Sequence, residues 1–320
     1  MKAATIVEPG SVRIDEVPLP EPGEGQVRVE LEGCGVCSSN VPPYEGRAWF
    51  EYPMEPGGLG HEGWGVVHQL GPGVQNLRVG DRIAFISDHA YAEYDLADAD
   101  AAVKLPGSLR GRAVPGEPLG CAMNIFERSG IEKGQTVAII GIGFLGAILT
   151  RLARLDGARV LAISRRESSL ETASRMGAAE TIPMKDHGEI IEQVREMTGG
   201  AFCDVVIEAT GKQWPLDLAA ELTKIRGRLV VAGYHQDGPR QVNMQLWNWR
   251  GLDVINAHER DPAVYKRGIE HAVEALAEGR LDPSPLYTHE LPLERLGEAL
   301  EMTRTRPEGF VKALVRPARS

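Results

Sequence analysis

Thr136-Val137-Ala138-Ile139-Ile140-Gly141-Ile142-Gly143-Phe144-Leu145-Gly146 reads as a buried strand, a glycine turn and the start of a helix. The apolar, β-branched run through Ile140 suits a strand covered on both faces. In that setting the G-x-G-x-x-G spacing has a physical reason at each glycine. Gly141 makes the tight turn, Gly143 lets the backbone approach a pyrophosphate, and Gly146 lets helix and strand pack closely. With Phe144 and Leu145 they open a helix whose amide donors and positive dipole end favour phosphate. A glycine turn without a ligand is the simpler alternative, and the flanking strand and helix argue against it.

Downstream the pattern repeats. Further strands are predicted at 159–163, 204–208, 228–232 and 253–256, with helical patterns at 145–155, 168–176, 189–197 and 215–222. Such alternation implies a parallel sheet with right-handed crossovers. A helix over 262–278, a short helix near 293–303 and a strand at 311–315 follow. Upstream the texture differs. Val27, Val29 and Leu31 alternate with Arg28, Glu30 and Glu32, and Pro and Gly clusters separate short apolar runs. That predicts a compact, mostly antiparallel β domain over the first 115 residues. The expected fold class is α/β, with a β-rich domain beside a doubly wound parallel sheet.

At 320 residues the chain is long enough for two domains, taking roughly 100–200 residues for each. A net charge of −10 argues against a nucleic-acid surface. No apolar run approaches the roughly 18–20 residues of a membrane span. The start is too short and too soon acidic for a signal peptide. Four cysteines are too few for a disulfide scaffold, so a cytoplasmic protein with reduced thiols is expected.

The end of the second parallel strand selects the cofactor. NAD binders usually place an acid there, about 20 residues past the glycines, for the ribose 2′-hydroxyl. Here Val160-Leu161-Ala162-Ile163 runs into Ser164-Arg165-Arg166. A hydroxyl and two guanidinium groups suit a 2′-phosphate, so NADP is expected over NAD. Ordinary solvated arginines are the alternative.

Cys37, His61 and Glu117 stand apart in sequence, in Gly35-Val36-Cys37-Ser38-Ser39-Asn40, Gly60-His61-Glu62-Gly63 and Glu117-Pro118-Leu119-Gly120-Cys121. Spacing alone favours a buried thiol and a hydrogen-bonded imidazole over a metal site. Yet Gly60-His61-Glu62 before an apolar strand, Gly35-Val36-Cys37 with a hydroxyl two positions on, and the glycine loop about 80 residues later resemble the zinc-dependent medium-chain alcohol dehydrogenases. Val79-Gly80-Asp81-Arg82-Ile83-Ala84, Ala90-Tyr91-Ala92-Glu93-Tyr94 and Asp204-Val205-Val206-Ile207-Glu208-Ala209-Thr210-Gly211 resemble further segments of that family.

The resemblance implies a GroES-like catalytic domain, residues 1–120 and 258–320, and a Rossmann domain, residues 121–257, with the active site in the cleft between them. It implies Cys37 and His61 as zinc ligands and Glu117 as the third, as in the sorbitol and threonine dehydrogenase branch. Cys121 is the rival third ligand. Glu62 is an alternate ligand or a carboxylate behind the ligands, and Ser39 accepts the alcohol proton. Three departures stand out. Ser38 and Asn40 replace a usual Gly and Asp, and the Asn removes a negative charge near the metal. Pro42 replaces a frequent proton-relaying His. No cysteine lies between Cys37 and Cys121, so a four-thiolate structural zinc site cannot form and one catalytic zinc is expected.

The implied chemistry is hydride transfer between a secondary alcohol, polyol or sugar-like, and the nicotinamide, with zinc as Lewis acid. Tyr44, Trp49, Phe50 and His235 are candidate pocket residues, with core packing or loop exposure as the alternatives. Trp247 and Trp249 are candidates for a subunit interface. A homodimer or homotetramer acting on a small alcohol or carbonyl compound is expected, with neither nucleic acid nor membrane as partner. The other readings are a zinc-independent quinone or enoyl reductase, and a non-catalytic NADPH-binding protein.

Overall fold

A computed structural model describes residues 1–318. The chain divides into two compact units. One comprises Met1–Gly120 and a segment that begins at Asp261; the other is Cys121–Arg260. His258, Glu259 and Arg260 thus belong with the second unit.

The first unit opens with strands β1 (Lys2–Glu8), β2 (Ser11–Glu16) and β3 (Gln26–Gly35), then a 3₁₀ turn (Ser38–Asn40) and helix α1 (Val41–Glu45). Strands β4 (Gly63–Leu70), β5 (Arg82–Ala84), β6 (Tyr94–Asp98) and β7 (Val103–Lys104) follow, and helix α2 (Gly116–Ser129) leads out of the unit. The second unit continues as β8 (Thr136–Ile140), α3 (Phe144–Leu155), β9 (Arg159–Ser164), α4 (Glu167–Met176), β10 (Glu180–Pro183) and α5 (His187–Met197). It ends with β11 (Cys203–Glu208), α6 (Gln213–Leu222), β12 (Thr223–Val231), α7 (Met244–Arg250) and β13 (Asp253–Asn256). The first unit then resumes with α8 (Pro262–Ala277), β14 (Tyr287–Pro292), α9 (Leu296–Thr305) and β15 (Lys312–Arg316).

In the first unit the large sheet runs β14-β15-β3-β4-β5-β7, with β6 also paired to β3. Its pairings are antiparallel except β14 with β15, which is parallel. The alternation read from Val27 to Leu31 is borne out, since Val27, Val29 and Leu31 are buried in the core beside Phe85, Tyr91, Leu300 and Phe310.

In the second unit the sheet order is β10-β9-β8-β11-β12-β13, and every pairing is parallel. Numbered within the unit this is 3-2-1-4-5-6, the doubly wound order whose reversal lies between its first and fourth strands. Ala138, Ile140, Leu161, Ile163 and Val206 form its core with Leu218 and Leu222 of α6. The continuous apolar strands are what a sheet covered by helices on both faces requires. Among the described residues no helix is long and apolar enough to cross a membrane.

Candidate metal centre and nucleotide loop

Strand β3 ends at Gly35, and the chain turns through buried Val36, whose N–H donates to Ala313 O at 2.9 Å. Cys37 follows and opens the 3₁₀ turn. His61 and Glu62 stand immediately before β4, which pairs with β3 through Cys34 and Gly63. The sheet register thereby joins two loops that lie apart in sequence. One donor atom from each of Cys37, His61 and Glu62 falls within 4.8 Å of the others.

These donors suit a divalent metal such as zinc, which accepts thiolate, imidazole and carboxylate. His61 Nδ1 lies 2.9 Å from Leu59 O, so that nitrogen is engaged and Nε2 is the one left for a metal. Burial by itself would lower the His61 pKa. The hydrogen bond to Cys37 and its charge, then the charges of Glu117 and Glu62, outweigh burial and push it up to about 10. A metal cation is the natural counter-charge for that cluster of anions.

Glu62 is 1% exposed. Lys312 of β15 donates to its Oε1 at 2.9 Å and to Val36 O at 3.3 Å, and sits 2.7 Å from Oε2. Oε2 has no hydrogen bond of acceptable geometry. Gly35 makes this arrangement possible, because a Cβ there would stand 1.8 Å from Glu62 Oε2.

Glu117 occupies the first turn of α2, and its charge acts on both His61 and Lys312. Its carboxylate is not in the group of three, where Glu62 stands instead. Cys121 begins the second unit. Ser39 lies half-buried within the 3₁₀ turn, and Ser38 Oγ accepts from Arg306 at 3.0 Å.

In the second unit Gly141 has φ +99°, a conformation that a side chain would strain, and its Cβ would meet Thr210 Cγ2 at 2.4 Å. Gly146 faces Gly141 O, 2.1 Å from where a Cβ would sit. Gly143 differs, since a Cβ there would meet nothing within 4 Å. Internal packing therefore does not demand glycine at 143, whereas a phosphate group lying on the backbone would. Gly143 is also the N-cap of α3 and gives the first turn no side-chain partner. Phe144 and Leu145 form that turn, half-buried. The loop fits a dinucleotide. At the end of β9 Ser164 is buried, Arg165 is exposed, and half-buried Arg166 is the N-cap of α4.

The pocket candidates fare unevenly. Tyr44 is a core residue of the first unit, and its hydroxyl donates to Gly10 O at 3.2 Å. Its apolar ring is thus taken up by packing and its polar tip by the backbone. Trp49 is 60% exposed, with its ring centroid 6.0 Å from that of half-buried Phe50. His235 has both ring nitrogens engaged. Arg240 Nε donates to Nδ1 at 2.9 Å, so Nε2 carries the proton and donates to buried Glu208, also at 2.9 Å. Glu208 in turn accepts from the N–H groups of Thr210 and Gly211, beside the turn at Gly141. His235 therefore ties the loop after β12 to the end of β11.

Sequence reading missed Lys312, because no local pattern reveals a partner 250 positions from Glu62.

Two family models match the chain: an alcohol dehydrogenase GroES-like domain over residues 23–116 and a zinc-binding dehydrogenase domain over residues 145–274. An alcohol dehydrogenase of Geobacillus stearothermophilus is 31% identical, covering 94% of this chain and 95% of that protein. A sorbitol dehydrogenase of Gallus gallus is 28% identical, covering 96% and 94%. Among solved structures, a Sinorhizobium meliloti chain described as a zinc-binding dehydrogenase and bound to NADP is 26% identical, with 99% of each chain covered and a TM-score of 0.86. The glycine loop, the thiolate–imidazole–carboxylate group and these relatives converge: the chain belongs to the zinc-dependent medium-chain alcohol dehydrogenases, in their sorbitol dehydrogenase-like branch, and is an oxidoreductase acting on CH–OH groups.

Proposed function

We propose a zinc-dependent, NADP-preferring dehydrogenase that interconverts a secondary alcohol, polyol or sugar-like, with its ketone. The observation that carries this reading is the convergence of Cys37, His61 and Glu62 in the GroES-like unit. Cys37 and His61 would hold one zinc, with Glu62 or Glu117 supplying the carboxylate. A bound zinc ion supplies Lewis acidity toward the substrate oxygen. Ser39, two residues past Cys37, would take the alcohol proton. Pro42 is buried and has no proton to relay, so the proton leaves by a route other than a side chain at that position. Gly141, Gly143 and Gly146 would seat the diphosphate, and Ser164, Arg165 and Arg166 the 2′-phosphate.

A carboxylate among the ligands weakens the metal's Lewis acidity and tolerates a polar pocket, which favours polyols over simple alkanols. The NADP-bound neighbour is consistent with the cofactor reading. A cytoplasmic homodimer or homotetramer completes the proposal. Edge strand β13 exposes Val254, and Ile225 and Trp249 are exposed in the same unit. An unpaired strand edge with exposed apolar residues favours pairing with a second copy.

The test begins with elemental analysis of protein purified without chelator or metal-affinity resin. About one zinc per chain is expected, followed by polyol oxidation with a lower KM for NADP than for NAD. Carbonyl reduction by a zinc-free chain would move the protein to the zinc-independent reductases. A lower KM for NAD would overturn the roles of Arg165 and Arg166. Ser39→Ala should lower kcat at least a hundredfold with zinc retained.

A further inference from the structure

Glu208 ends β11 with its side chain fully buried, and it gathers two loops at the carboxyl edge of the parallel sheet. Oε1 accepts from the N–H groups of Thr210 and Gly211, at 2.6 and 2.9 Å, and from the Thr210 hydroxyl. Oε2 accepts from His235 Nε2 in the loop after β12. Beyond His235 the chain of bonds continues outward. Arg240 donates from Nε to His235 Nδ1 and from Nη2 to Gly211 O, each at 2.9 Å, and it also pairs with Asp237. Lys212 holds Asp237 on its other side at 2.8 Å. Gly211 is thus gripped at its N–H and at its carbonyl. It has φ +72°, and a Cβ there would collide with Tyr234 O, so the two loops touch at this residue. The imidazole of His235 both donates and accepts, and so it is the link between the buried carboxylate and Arg240.

The place of this network in the sheet gives it a function. The glycine turn follows β8, and Ser164, Arg165 and Arg166 lie beyond β9, on one side of it. A dinucleotide with its diphosphate at the turn and its 2′-phosphate beyond β9 has to run its nicotinamide half the other way, past the ends of β11 and β12. The linked loops stand there, and Thr210 abuts the turn itself at Gly141. We propose that His235 is a positioning residue for the nicotinamide half of the cofactor. It acts through Glu208 and Arg240, which set the loops after β11 and β12 against each other. The inference rests on the reading of the glycine turn as a dinucleotide site.

His235→Leu removes both hydrogen bonds, and His235→Gln puts back one donor and one acceptor. NADPH affinity, followed by fluorescence titration, should fall about tenfold or more in His235→Leu, the worth of one hydrogen bond to a charged group. Affinity for 2′,5′-ADP, which lacks the nicotinamide half, should stay within about threefold, a split that general loosening of the fold would not produce. His235→Gln should bring NADPH affinity back to within about threefold of wild type. Arg240→Met is the milder variant, because it leaves Glu208 with His235 and Asp237 with Lys212. It should weaken NADPH about threefold or more and spare 2′,5′-ADP, and it carries the test where His235→Leu does not fold. NADPH affinity unchanged in these variants, an equal loss for both ligands, or a Gln variant no better than the Leu one overturns the proposal. Wild-type protein that binds no dinucleotide overturns the dinucleotide reading and the proposal with it. Wild-type protein that prefers NADH overturns only the 2′-phosphate reading, and NADH with AMP then gives the same comparison.

Discussion

The four cysteines divide by environment. Cys34 and Cys203 are fully buried, whereas Cys37 and Cys121 are half-buried. Burial, reinforced by the charge of Asp204, pushes the Cys203 thiol up to about 12, and burial with the charge of Glu62 raises Cys34 well above its usual value. Because the thiolate is the reactive form, both should be inert in the native state. A thiol-reactive chromophore added to metal-free protein should label Cys37 and Cys121 alone, and all four cysteines only after denaturation; prompt native labelling of Cys34 or Cys203 would contradict the burial. Gly35 offers a sharper test. Gly35→Ala drives a methyl into Oε2 of the Glu62 carboxylate, which Lys312 already holds through Oε1. The loss expected is about 1–3 kcal/mol of stability from overpacking, read by urea denaturation. Cys37 and His61 were legible because their glycine and hydroxyl neighbours form recognisable strings. The link from Glu208 through His235 to Arg240 was not, since it lies in hydrogen bonds that only the folded backbone creates.

Glycines 141, 143 and 146 divide the work of the turn between β8 and α3, and the structure separates their roles. Gly141 and Gly146 are constrained by neighbouring atoms, whereas Gly143 faces open space. Gly143→Ala should therefore change folding stability by less than about 1 kcal/mol, the range of an N-cap substitution. NADPH affinity, followed by fluorescence titration, should fall at least tenfold; unchanged affinity would mean that no phosphate approaches this backbone. Strands β8 and β13 match the sequence reading end to end, and β9 and β11 match it to within one residue, whereas β12 begins five residues earlier than read and ends one residue earlier. Strands β10 and β14 lie at sheet edges and carry exposed or half-exposed residues, so they show little apolar run. Helix α7 is short and buries no residue fully, although Leu246 and Trp247 pack partly buried against the core. Strands β8, β9 and β11 are buried along most of their length, which is why they announced themselves.

The first unit is assembled from both ends of the chain. Strand β15 pairs with β3 through Val315 and Cys34, and so brings Lys312 to Glu62 across the whole intervening Rossmann unit. Both side chains are almost completely buried, at 5% and 1% exposure. Removing one partner from such a pair leaves an uncompensated charge in a poorly solvating interior, and that costs about 3–5 kcal/mol. Replacing both partners by apolar groups of similar volume is often neutral. Lys312→Met should accordingly lower the stability of metal-free protein by about 3–5 kcal/mol in urea denaturation. Adding Glu62→Leu to it should restore most of that loss, although it also removes a donor from the metal cluster. The double variant should therefore fold well and bind zinc poorly. A pair of losses that simply add would show that the two charges are not coupled. Recovery of stability without recovery of zinc affinity would show that the fold tolerates an apolar pair at these positions and that zinc binding needs the Glu62 carboxylate.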